Sequence, residues 1–130
     1  MKKKRESEIK IMLCSCKECS DSNELFNKLL KLGKELEENK KFDAIEKFML
    51  ALASKERLII INALKEQDKC VCELEAILNK AQSTISHHLR KLVVAGLIKG
   101  YKKQKFTYYH LFKEELVNNL DILNQALHVI

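Results

Sequence analysis

Between residues 70 and 111 the chain changes character in an order that few folds accommodate. "CVCELEAILNK" has the apolar spacing of a short helix, and "NKA" breaks it. "QSTISHHLRKLVVAG" then resumes helical spacing, with Ile85, Leu89, Leu92 and Val93 as its expected buried stripe. Asn79 stands at the break, where left-handed backbone must be tolerated, and Gly96 closes the second helix. Residues 97–101 and 106–111 are aromatic and β-branched around "KKQK", which reads as a basic hairpin loop. Two short helices across a tight break, followed by a hairpin, predict a winged helix-turn-helix.

The rest of the chain reads as helix. Leu25, Leu29, Leu32 and Leu36 mark one face of a helix from Ser22 to near Asn39, and Leu116, Leu120, Leu123 and Leu127 mark another near the C-terminus. "FDAIEKFMLALA" (42–53) and "SKERLIIINALKEQ" (54–67) give two more, the second opened by Ser54 as N-cap. A chain of 130 residues with no proline and three glycines suits a mainly α fold with one small hairpin. Residues 1–21 form a basic, cysteine-bearing arm without helical periodicity, and residues 22–130 form the winged-helix domain with its flanking helices. No apolar run is long enough for an export signal or a membrane span, which predicts a cytoplasmic protein with reduced thiols.

Charge is distributed unevenly. Residues 76–113 contain eight Lys or Arg and no Asp or Glu, so this stretch carries +8 and the remainder −2 of the +6 total. A basic segment on a near-neutral body points to a polyanion, first of all double-stranded DNA. The free face of the second helix offers Gln82, Ser83, Thr84, Ser86, His87 and Arg90 to base edges and phosphates. Lys102, Lys103 and Lys105 at the hairpin tip reach for an adjacent backbone.

"FMLALASKERLIIINAL", "CVCELEAILNKAQSTISHHLRKLVVAGLIK" and "KFTYYHL" together resemble the ArsR/SmtB family of metal-responsive repressors, from about residue 42 to the C-terminus. The resemblance implies a homodimer whose recognition helix, 82–95, reads a palindromic operator and releases it when an inducer binds. Two positions depart from the family: Ala81 stands where a capping Ser or Thr is usual, and Gln104 where the hairpin often has glycine.

The five cysteines fall into two groups, "CSCKEC" with Cys14, Cys16 and Cys19, and "CVC" with Cys70 and Cys72. Residues two apart inside a helix point to nearly opposite sides, so Cys70 and Cys72 can meet only at a helix entrance. Glu73, three residues after Cys70, has capping-box spacing and puts Cys70 at the N-cap. There the helix dipole is expected to favour the thiolate. Two thiolates are an incomplete site for a soft metal or metalloid ion, and the arm cysteines are the candidates to complete it. The resemblance implies the same, since some family members pair a "CVC" site with arm cysteines; the arm spacing C-x-C-x-x-C differs from that of the cadmium and lead sensors. The family's other site, on the C-terminal helix, is not matched: Asp121 and His128 lack the Asp-x-His pairing. His88 is expected at a helix–helix contact, and His110 ends a strand with no partner in view. A thiol redox switch or a non-metal inducer are the alternatives; "CKEC" lacks the strand and helix pattern of a thiol-disulfide enzyme, and no enzymatic activity or organic cofactor is expected.

Overall fold

The computed structural model describes residues 2–17 and 21–128, which divide into two compact units, 1–42 and 43–130. In the first unit, α1 (Lys3–Lys17) packs on α2 (Ser22–Glu37). Over Lys3–Lys17 the arm is therefore helical where irregular chain was expected. Good helix formers carry it, with Glu–Lys and Arg–Glu pairs one turn apart such as Arg5–Glu8 at 3.0 Å, and no apolar face announces it. Asp21 caps α2, its carboxylate accepting from the N–H groups of Asn23 (2.9 Å) and Glu24 (3.2 Å). Phe26 is buried, with the Lys10 ammonium 5.2 Å from its ring centre, while Leu29, Leu32 and Leu36 remain exposed.

The second unit holds most of α3 (Lys40–Leu52), then α4 (Lys55–Leu64), β1 (Lys69–Cys70), α5 (Val71–Leu78), α6 (Gln82–Val94), β2 (Ile98–Lys103), β3 (Phe106–Leu111) and α7 (Lys113–Leu127). Ser54 caps α4 as expected, accepting from the Arg57 N–H at 3.3 Å. Asn79 takes the left-handed conformation (φ 52°, ψ 48°) that turns α5 into α6, and Gly96 (φ 78°) ends α6. The core lies where these elements converge: Ile60, Leu64, Leu74, Ile85, Leu89, Leu92, Leu97, Ile98 and Leu111 are fully buried. Each contributes about 1.5–3 kcal/mol relative to an exposed position. Val93 does not join them. It is 43% exposed, because α6 buries the narrower stripe Ile85–Leu89–Leu92.

The sheet is antiparallel in the order β1-β3-β2, with Lys69 opposite Tyr109, Cys70 opposite Tyr108 and Tyr101 opposite Tyr108. β2 runs two residues further than expected, so the loop is only Gln104–Lys105, and Lys102 and Lys103 belong to the strand. Gln104 supplies the positive φ (58°) that so tight a turn needs. α7 has no fully buried residue; Leu116 packs on the core while Val117, Leu120 and Leu127 are exposed. Among the described residues no helix is long and apolar enough to cross a membrane.

Candidate nucleic-acid interface and thiol site

The free face of α6 carries Gln82, Ser83, Thr84, His87 and Arg90 in exposed positions, with Ser86 half-buried beside them. Ala81 stands at the N-cap without a side-chain hydrogen bond. The amides of the first turn therefore have no side-chain cap and face outward, an arrangement that suits a phosphate oxygen. No acidic residue opposes one in that turn. In the hairpin Lys102, Lys103 and Lys105 are all exposed, and the Lys103 ammonium lies 5.7 Å from the Tyr108 ring centre. That contact gives the lysine a preferred direction.

A buried arginine holds α6 to the helices behind it. Arg57, 8% exposed, donates from Nε to the Ala51 carbonyl (2.7 Å), from Nη2 to the Leu50 carbonyl (3.2 Å) and from Nη1 to His88 Nδ1 (3.0 Å). Guanidinium has no lone pair to offer, so His88 Nδ1 is the acceptor and the ring proton sits on Nε2. Burial, and then the Arg57 charge, hold the His88 pKa below its ordinary value. His88 thus occupies a helix–helix contact, as expected. The role of Arg57 was missed, although a lone arginine beside the apolar run "LIII" was a usable signal.

The two sulfurs of "CVC" come together at the entrance of α5. Cys70 is the N-cap residue, the Glu73 carboxylate accepts from its N–H at 3.1 Å, and the Glu73 N–H is directed at its sulfur. Cys70 Sγ lies 2.7 Å from Cys72 Sγ, with Cys70 buried and Cys72 exposed. The expected thiolate bias fails at Cys70. Burial, with the hydrogen bond that the protonated Cys70 thiol makes to Cys72 adding to it, pushes the Cys70 thiol up, outweighing the favourable Glu73 N–H. Sulfurs on one tetrahedral ion stand about 3.8 Å apart for metal–sulfur bonds of ~2.3 Å, a separation that two neighbouring thiols at a helix entrance can take up. The pair fits two corners of such a site.

Of the arm cysteines, Cys14 is exposed on α1; the Cys16 side chain and Cys19 lie outside the described residues. Among the described residues no three His, Cys, Asp or Glu are grouped to hold a metal ion. His110, expected to be without a partner, has one. Its Nδ1 lies 2.7 Å from the Asp68 carboxylate, which also accepts from the Tyr101 hydroxyl. Burial pushes the Asp68 carboxyl up, but the hydrogen bonds from Tyr101 and His110 prevail and hold it below its ordinary value.

In sequence and fold this region is similar to known proteins. The pattern of the bacterial regulatory protein, arsR family, matches residues 54–99. The cadmium resistance transcriptional regulatory protein CadC of Listeria innocua is 30% identical over 80 residues, covering 61% of this chain and 67% of that one. The chain belongs to the ArsR/SmtB family. The arsenical resistance operon repressor of Bacillus subtilis is 44% identical over 71 residues, 54% of this ArsR-family chain and 67% of the relative. Among solved structures, HlyU from Vibrio cholerae is similar with a TM-score of 0.58 and 27% identity, covering 68% of this chain and 96% of its own. These relatives are transcriptional regulators rather than enzymes, and the ArsR-family chain is a DNA-binding regulator of the same kind. The matched segment runs from the N-cap of α4 into β2, so it includes Arg57, both "CVC" thiols and α6. The arm cysteines and the hairpin tip lie outside it.

Proposed function

We propose that the chain is a homodimeric repressor that reads a palindromic operator with α6 and the hairpin, and is released from it by a soft metal or metalloid ion. The observation that carries this reading is the Cys70–Cys72 sulfur pair, 2.7 Å apart at the N-cap of the helix that leads into the reader. Cys70 and Cys72 hold the ion, with one or two of the arm thiols Cys14, Cys16 and Cys19 supplying its remaining thiolates. Relatives named for cadmium and arsenical resistance support a soft ion of that class. Exposed leucines on α2 (Leu29, Leu32, Leu36) and α7 (Leu120, Leu127) support a dimer, which sets two α6 helices on half-sites about 34 Å apart. The site residues on the DNA side are Gln82, Ser83, Thr84, Ser86, His87 and Arg90 for bases and phosphates, and Lys102, Lys103 and Lys105 for the flanking backbone.

Release is a coupling between two equilibria: an ion that lowers operator affinity by some factor is itself bound more weakly by that factor on DNA. Operator anisotropy titrations with arsenite, antimonite, cadmium, lead and bismuth test it beside near-ultraviolet sulfur-to-metal charge-transfer bands. At least one ion is expected to produce the bands and weaken the operator together. Cys70→Ser/Cys72→Ser is expected to keep operator binding and lose both responses. Unchanged operator affinity with every ion refutes the reading.

A further inference from the structure

The thiol pair and the hairpin tip lie in different parts of the unit, and one side chain joins them. Asp68 stands two residues before Cys70, in the turn that leads into β1. Its carboxylate accepts from the Tyr101 hydroxyl on β2 and from His110 Nδ1 on β3, so both strands of the hairpin end on one residue of the thiol loop. The backbone link beside it is short, because β1 is two residues long and pairs only Lys69 with Tyr109 and Cys70 with Tyr108. Tyr108 in turn stacks on Tyr101, ring centres 6.0 Å apart. Neither the DNA-reading face nor the thiol site accounts for Asp68, Tyr101 and His110.

Joining the two sulfurs through one bridging atom fixes their separation and angle, and that constraint is met by moving the N-cap backbone or twisting the Cys70 side chain. The N-cap backbone is the β1 ladder itself, so its displacement reaches β3 at Tyr108. A two-residue ladder alone can slip or fray; a carboxylate fixed to both strands makes the hairpin follow as one body. We infer that Asp68 is a positioning residue that transmits occupancy of the Cys70–Cys72 pair to the hairpin, and so to Lys102, Lys103 and Lys105. This inference rests on the proposed reading for its purpose, but not for its mechanics.

The mechanics can be read without DNA. All three tyrosines of the chain, Tyr101, Tyr108 and Tyr109, lie in the hairpin and there is no tryptophan, so intrinsic emission reports on the hairpin alone. Phenylarsine oxide bridges two thiols without help from a third: two S–As bonds form, and the oxo oxygen leaves as water with the two thiol protons. In the full chain with Cys14, Cys16 and Cys19 replaced by Ser, the adduct is counted by mass. Tyrosine emission and amide hydrogen exchange over residues 98–111 are then compared before and after reaction.

The hairpin is expected to change both signals on bridging. Asp68→Ala removes both hydrogen bonds and should form the same adduct while losing most of the response, and Asp68→Glu should restore part of it. Should Asp68→Ala not fold, Tyr101→Phe removes one of the two hydrogen bonds, and its exchange response should fall to an intermediate level. An adduct that leaves the hairpin of the unsubstituted-Asp68 protein unmoved, or a full-size response in Asp68→Ala or Tyr101→Phe, overturns the inference. A hairpin that moves through Asp68 in a protein whose DNA affinity no soft ion alters supports the link and refutes only the proposed function.

Discussion

Replacing Arg57 by Met tests how α6 is held. Methionine keeps most of the aliphatic stem and removes three donors, which strands the carbonyls of Ala51 and Leu50 and the Nδ1 of His88. Leu50 is 64% exposed, so water replaces the donor at its carbonyl at little cost. Ala51 is buried and His88 half-buried, and a buried acceptor left alone costs about 1–3 kcal/mol. The two together give a loss of about 3 kcal/mol. With a urea m-value of ~1.5 kcal/mol/M, the unfolding midpoint should fall by about 2 M.

The same substitution has a second, independent signature. In the native protein burial, and then Arg57, depress the His88 pKa, so the unfolded chain binds that proton more readily. Stability contributed by neutral His88 is therefore complete above about pH 6.5 and is lost as pH falls below it. Without Arg57 the imidazole pKa should rise part of the way back, burial still holding it down, and the pH slope of stability should shrink. Urea titrations from pH 5 to 8, with His88 followed by NMR, measure both. An Arg57→Met protein that unfolds at the native midpoint, or whose His88 titrates as before, refutes this account of the anchor.

Other outcomes follow from the same structure. Gln104→Gly relieves a left-handed non-glycine residue and should stabilise the unit by roughly 1 kcal/mol in thermal unfolding. Arg90→Ala should weaken specific operator binding by about 1–3 kcal/mol if it reads a base, whereas Lys102→Ala should weaken all sequences alike and reduce the salt slope by about 1. Because Cys70 is pushed up, it is protonated at neutral pH, and ion binding must release that proton. Apparent ion affinity should then rise as pH rises from 6 to 8, and a pH-independent affinity would contradict the burial of Cys70.

Local chemistry made much of this fold legible. Ser54, Asn79 and Gly96 each stand where backbone geometry demands that residue type, and Cys70 with Glu73 shows its capping box within four residues. The meeting of Cys70 and Cys72 followed from helix geometry in the same way. What escaped was long-range or a matter of burial. Asp68 meets Tyr101 and His110 across 33 and 42 residues, a contact that exists only once the sheet has paired. Val93 sits on the edge of an apolar stripe whose width depends on the helices packed against it, and the Cys70 thiol answers to desolvation that no spacing reveals. The α1 helix was hidden for the opposite reason, since among its described residues none is fully buried and only Ile9 and Leu13 leave half-buried apolar positions.

The missing cap at Ala81 bears on when the reading turn is ordered. A helix end without an internal acceptor is the first part to open, so in free protein the amides of residues 82–84 should exchange fastest within α6. A phosphate bound there would raise their protection in proportion to its occupancy. The first turn of the reader then becomes fully ordered only on DNA, and part of the free energy of binding is consumed in ordering it. A serine at position 81 would order that turn in advance, whether or not DNA is present.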